Sequence, residues 1–176
     1  MHAKYMIIDS EWIIETANWT RSSFVSNREF FTTGAHPDIL QNLENIFQKD
    51  FEGNIGVSKT TVLLAGPTNA RERLNIFLKL SQKTIDIYAP EFSDRAMVRE
   101  LNALCLGGVT VRIILASYDN ENQDKKEYSQ CIQSRYMKKP LHAKALLRDK
   151  TAAFVGSFNY TKNSLEKNRE IGLFLS

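Results

Sequence analysis

Apolar and polar positions along the chain alternate with two different periods, one of two residues and one close to 3.6. Residues 60–65, 84–89 and 109–115 are short runs rich in Ile, Val, Leu and Tyr, and each predicts a β-strand. Helical patterns lie between them. Residues 69–81 predict a helix opened by Asn69, with Glu72 at the capping-box spacing. Residues 93–106 predict another, with Met97, Val98, Leu101, Leu104 and Cys105 on one face and Gly107-Gly108 as its stop. A third starts at His36-Pro37-Asp38, where Pro37 suits the first helical position and Ile39, Leu40, Leu43, Ile46 and Phe47 form the apolar face. Near the C-terminus, residues 141–147 predict a strand, Asp149-Lys150 a turn, 151–155 a return strand ending at Gly156, 161–167 a short helix and 168–175 a last strand. Residues 117–140 predict a polar loop and a helix around 126–135. The alternation implies an α/β (α+β) fold with a mixed sheet flanked by helices.

Composition narrows the class without naming a function. With 176 residues, 43% hydrophobic and 24% charged, the chain has the profile of an ordinary globular domain. Its longest apolar runs fall far short of the ~20 residues of a membrane-spanning helix. Asp9 and Glu11 interrupt the stretch that a secretory signal requires, so the expected location is cytoplasmic or peripheral to a membrane. Cys105 and Cys131 have no paired spacing and imply neither a zinc site nor a disulfide framework. A net charge of +3 is too weak to argue a dedicated nucleic-acid or membrane-surface binder. Lys125, Lys126, Arg135, Lys138 and Lys139 are offset by Asp119, Glu121, Asp124 and Glu127 and read as a solvated loop. Residues 53–60 look superficially like a phosphate loop, but Ser58 replaces the Gly required before Lys59.

Comparison of the chain with itself is more informative. His2-Ala3-Lys4, Asp9, Thr16, Asn18 and Asn27-Arg28-Glu29 recur as His142-Ala143-Lys144, Asp149, Ser157, Asn159 and Asn168-Arg169-Glu170. His precedes Lys by 2 and Asp by 7 in both copies, and Asn precedes Glu by 11 in both. The hairpin is one residue shorter in the first copy. Packing alone rarely repeats polar residues in this way, so each copy is expected to gather His, Lys, Ser or Thr, Asn and Glu into one cluster. Residues 57–176 then form a complete unit and residues 1–56 the back part of another. Repeats of equal length imply that roughly eighty residues of the first copy are missing before Met1, which occupies the slot that Leu141 fills before His142.

The motifs His2-x-Lys4-x4-Asp9 and His142-x-Lys144-x4-Asp149-x6-Gly156-Ser157-x-Asn159 resemble the paired motifs of the phospholipase D superfamily over nearly the whole chain. The first copy departs from the pattern where Glu15 stands in place of Gly. The resemblance implies a phospholipase D-like fold and metal-free, two-step cleavage of a phosphodiester. Family chemistry makes His2 the nucleophile that forms a phosphohistidine and His142 the acid that protonates the leaving oxygen.

The residue types agree with that chemistry. An imidazole pKa of about 6.5 leaves both protonation states accessible near neutrality. Glu29 and Glu170 can accept the second ring N–H of a histidine, and Lys4 and Lys144 can bracket the non-bridging phosphate oxygens. Asn18, Asn159, Thr16 and Ser157 can add neutral donors, while Asp9 and Asp149 are expected to hold the hairpins. A lysine beside each histidine disfavours a dication, so neither cofactor nor metal is expected. Phospholipids are the leading substrate, as hydrolysis or head-group transfer, and nucleic acid is the alternative. A single-motif relative would pair two chains, so a homodimer through the repeat interface, with both copies of His142 at one site, is a second organisation. An inactive fragment or interaction module is the remaining class. Trp12 and Trp19 suit a base, a lipid interface or a core equally.

Overall fold

The computed structural model describes residues 1–117 and 128–176. The expected basic and acidic loop at 118–127, and with it the start of the helix expected around 126–135, lies outside the described residues. Strands β1 (Tyr5–Ile8), β2 (Glu11–Glu15) and β3 (Phe31–Gly34) form an antiparallel three-stranded sheet. Helix α1 (Arg21–Val25) lies between β2 and β3, and α2 (Pro37–Phe51) follows β3. The remaining elements are β4 (Leu63–Ala65), α3 (Ala70–Lys79), β5 (Thr84–Ala89), α4 (Arg95–Leu106), β6 (Thr110–Ala116), β7 (Gln133–Met137), β8 (Ala145–Arg148), β9 (Ala152–Gly156), α5 (Lys162–Glu166) and β10 (Ile171–Leu175). Their strands make a mixed seven-stranded sheet in the order β4-β10-β9-β8-β5-β6-β7. Within it β5, β6 and β7 run parallel to one another, and β5 pairs with β8 antiparallel.

Two cores result. One face of the large sheet packs on α3, α4 and α5 through Leu74, Phe77, Ile87, Leu101, Ile113, Phe154 and Leu165. The other core joins the two sheets, with Trp12 and Ile14 of β2 against Leu63, Ala65, Ile171 and Leu173, sealed by Ile39, Leu43 and Ile46 of α2. Trp12 is therefore a core residue, whereas Trp19 is exposed. Its counterpart in the second repeat, Tyr160, is fully buried in the first core.

Several local expectations change. Residues Gln133–Met137 are a strand, because pairing with β6 satisfies their backbone groups along that edge. The fourth strand begins at Leu63 and not at Thr60. Asn69 caps α3 in a left-handed conformation without a side-chain bond, so the capping-box spacing goes unused. Asp94 caps α4 with bonds to the N–H groups of Ala96 and Met97. Phe47 is exposed and stacks on Phe51, leaving the apolar face of α2 to its neighbours. Cys105 and Cys131 are joined in a disulfide, since the end of α4 and the segment before β7 meet with their Cα atoms 6.1 Å apart. Spacing 26 residues apart in sequence gave no sign of that proximity.

A methyl group added at Gly156 would press on the backbone of Gly172 and lie 2.5 Å from the Ile171 carbonyl oxygen. The variant Gly156→Ala is expected to lose about 1–3 kcal/mol of stability. Urea denaturation should show a lower midpoint, and an unchanged midpoint would contradict the close approach of β9 and β10.

Candidate active site

Each His-x-Lys motif lies in extended backbone just before its strand, not within it as expected: His2 and Lys4 precede β1, and His142 and Lys144 precede β8. The turns that follow are equivalent, with Asp9 at φ 52° and Asp149 at φ 53°, a left-handed conformation that Asp tolerates better than most residues. Asp149 accepts the backbone N–H groups of Gln82, Lys83 and Thr84, which hold its carboxyl below the usual range and tie the hairpin to β5. Both aspartates thus sit at the turn end of their hairpins.

The repeats exchange partners at the other end. The Nδ1 atom of His2 lies 2.8 Å from a carboxylate oxygen of Glu170, and that of His142 lies 2.8 Å from Glu29. The backbone repeats the exchange: the N–H of His2 donates to the Arg169 carbonyl, and the N–H of His142 to the Arg28 carbonyl. Each glutamate therefore orients the histidine of the other repeat. Behind the rings, Thr16 Oγ1 donates to Glu29 at 2.6 Å and Ser157 Oγ to Glu170 at 2.5 Å. In turn, Thr16 Oγ1 accepts the N–H of Phe30, and Ser157 Oγ that of Ile171. Thr16 and Ser157 are thus supports for the carboxylates.

Three further partners were not singled out in the sequence. Asn27 and Asn168 donate to the glutamates two residues on, and Ser164 Oγ donates to Glu170 at 2.7 Å. The matched Asn-Arg-Glu triplets carried the signal for the two asparagines. Nothing marked Ser164, because it reaches Glu170 from α5. Asn159 is beside these groups in sequence and keeps a buried Oδ1 without a hydrogen-bond partner, while Asn18 is exposed.

Burial sets the charges. The glutamates are 0% and 11% exposed at the side chain, against 27% for His2 and 21% for His142, so the rings open outward from buried carboxylates. Burial would push Glu29 up, but hydrogen bonds from His142 and Thr16 outweigh it and hold the carboxyl below its ordinary value. Both lysines are buried and donate to the carbonyl of the histidine two residues before them, Lys4 at 2.7 Å and Lys144 at 2.6 Å. Desolvation lowers the pKa of Lys4, opposed by Glu170, Glu29 and Glu15. Lys144 is driven down to about 7 by burial, with Glu29 and Glu170 opposing and Lys4 adding to the shift. The influence of Lys4 on Lys144, and of Glu29 and Glu170 on both, marks the two lysines as members of one electrostatic cluster. A cleft of about 270 Å³ opens at His142 and is lined by Asn27, Lys138 and Lys139 among others.

Among the described residues no group of three or more His, Cys, Asp or Glu side chains is arranged to hold a metal ion. No helix among them is long and apolar enough to cross a membrane.

Between about pH 7 and 10.5 the folded state holds fewer protons on Lys144 than the unfolded state does, so the stability contributed by this group rises with pH through that window. The variant Lys144→Met is expected to gain most in Tm over the parent at pH 6 and progressively less toward pH 10. Calorimetry across that range tests this; a difference independent of pH would contradict the buried, depressed lysine.

The geometry has counterparts in known proteins. The family model described as cardiolipin synthase, PLD-like domain, matches residues 1–51 and 74–176. None of the curated proteins matches the chain in sequence. Among solved structures, phosphatidylserine synthase from Haemophilus influenzae superposes with a TM-score of 0.75 at 14% identity, covering 99% of this chain and 57% of that one. Polyphosphate kinase from Porphyromonas gingivalis gives 0.75 at 15% identity, covering 99% of this chain and 30% of that one. This chain thus spans a little over half of one relative and under a third of the other. Nuc from Salmonella typhimurium, a phospholipase D family member, gives 0.57 at 22% identity, covering 64% of this chain and 79% of that one. With the family match over most of its length and the same fold in these structures, the chain belongs to the phospholipase D superfamily, as a PLD-like domain.

Proposed function

We propose that this chain carries the site of a phospholipase D-like phosphodiesterase that works through a phosphohistidine without metal, with phospholipids as its substrates. The exchanged His–Glu pairs carry this reading. Because Nδ1 of each ring is engaged by a carboxylate, Nε2 of each is the nitrogen left for chemistry. A carboxylate on Nδ1 fixes the tautomer and stabilises the imidazolium that forms during proton transfer.

In the first step, neutral His2 Nε2 attacks phosphorus. The N–P bond forms as the bond to the leaving oxygen breaks, and protonated His142 gives its Nε2 proton to that oxygen. In the second step, water attacks phosphorus, His142 takes up its proton, and the N–P bond breaks to free His2 and a phosphomonoester. An alcohol in place of water would give head-group transfer. Each lysine has three N–H donors and spends one on a carbonyl, leaving two for non-bridging oxygens where charge builds. Asn159 is a further donor, and removing one such donor costs about 10²–10³ in kcat. Lys138 and Lys139 beside the cleft at His142 favour an anionic substrate.

Phosphatidyl lipids and single-stranded DNA, each offered in EDTA, separate the lipid reading from the nuclease alternative. Lipid cleavage that survives chelation and disappears in His142→Ala is the expected result. Cleavage of DNA alone would move the substrate to nucleic acid. The rate should follow a bell-shaped pH profile, because one imidazole must be neutral and the other charged. Turnover retained in His142→Ala, or lost in EDTA, would defeat the mechanism.

A further inference from the structure

Glu15 is a buried carboxylate for which the mechanism has no use. It is 7% exposed, and its Oε1 has no hydrogen-bond partner. Burying a carboxylate without a full set of partners is costly, so such a group calls for a reason. Its position supplies one. The β1–β2 register pairs Tyr5 with Ile14, and the N–H of Glu15 donates to the Lys4 carbonyl at 3.1 Å, so Glu15 stands directly across the strand pair from Lys4. Side chains of directly opposed residues share a face, with Cβ atoms about 5 Å apart.

The second repeat differs at this place. The β8–β9 register pairs Ala145 with Val155, and the next step sets Gly156 against Lys144. The change involves the neighbouring strand as well. Gly156 faces Gly172 of β10 in contact too close for a side chain, whereas Glu15 faces Phe31 of β3. Both members of the pair carry side chains in the first repeat, so a carboxylate stands where the close approach of β9 and β10 excludes one in the second.

We propose that Glu15 is a positioning residue that breaks the two-fold equivalence of the site, giving Lys4 a cross-strand carboxylate that Lys144 lacks. Glu15 then favours the charged form of Lys4, while burial lowers both lysines and Lys144 is the more deeply buried of the two. The groups around Lys4 are Glu170, Glu29 and Glu15, with Lys144 as the opposing cation. Those around Glu15 are Glu29, which together with burial pushes its carboxyl up, and Lys4 and Trp19, which pull it down. Glu29 and Glu170 act on both lysines, so they leave the two alike. Glu15 acts on Lys4, and among the described residues it has no equivalent beside Lys144. The inference that the lysines divide the work of holding phosphate rests on the proposed catalytic reading; the charge asymmetry itself does not.

The test is a titration of the lysine side-chain nitrogens by NMR in the parent, Glu15→Gln and Glu15→Asp, with Lys4 and Lys144 assigned through Lys4→Arg and Lys144→Arg. Glu15→Gln preserves shape and removes an ill-satisfied buried charge, and a folded amide spectrum verifies that it leaves the fold intact. The expected result is a parent Lys4 that titrates well above Lys144, a fall of about one pH unit for Lys4 in Glu15→Gln, a smaller change at Lys144, and substantial recovery in Glu15→Asp. Equal shifts at both lysines, or an unmoved Lys4, would overturn the inference. On a cleaved phosphodiester, the part of the alkaline limb of kcat/KM that lies above the titration of Lys144 should move to lower pH in Glu15→Gln. Loss of rate with an unmoved Lys4 and an unmoved limb would make Glu15 structural only. A Lys4 shift in a protein without turnover would uphold the asymmetry while counting against the catalytic reading.

Discussion

The structure depends on an exchange: the glutamate of each repeat holds the histidine of the other. A His–Glu pair contained within one repeat would leave the polar site indifferent to the placement of the other repeat. Here the glutamate is supported within its own repeat, by Thr16 or Ser157, and spends its remaining capacity across the boundary. The backbone bonds from His2 to Arg169 and from His142 to Arg28 run along the same seam. Packing of β2 on β4 and β10 beneath it means that the apolar core and the polar site fix one relative placement of the sheets. One consequence is that both histidine rings are tied to the same boundary between the repeats.

The same seam concentrates charge where water is scarce. Two lysines and two glutamates lie together with most of their surface buried, and burial brings Lys144 down to about 7. On the proposed reading, an incoming phosphodiester adds an anion to this cluster and favours protonated Lys144, so that substrate binding and proton uptake are linked. The near-symmetry of the motifs does not extend to the surroundings, since Asp149 is tied to β5 and Ser164 reinforces Glu170. The first-repeat sheet has β1 at its edge, and Trp19 lies open where Tyr160 is enclosed.

Much of this was legible in the sequence because the informative residues keep fixed distances from one another. A two-residue step from His to Lys, a turn at Asp and eleven residues from Asn to Glu describe hairpin geometry, and hairpins are local. The turn conformations of Asp9 and Asp149 match each other, at φ 52° and 53°. Which glutamate serves which histidine was not legible, because spacing within a copy carries no information about contacts between copies. The disulfide and the strand Gln133–Met137 were hidden for the same reason, each decided by a neighbour remote in sequence, whereas Ser164, six residues before Glu170, was hidden because nothing in the spacing shows that α5 turns it toward that carboxylate. Phe47 shows the converse. Its helical period placed it with the core residues, yet α2 turns that edge toward solvent.

The most direct test of the shared site is chemical. A phosphodiester labelled at phosphorus, quenched during turnover and mapped by mass spectrometry, should leave an acid-labile, base-stable phosphoramidate on His2, absent from His2→Ala and from Glu170→Ala in which that ring loses its partner. Label on a hydroxyl group, or label at His2 that is indifferent to Glu170, would contradict a site built from both repeats.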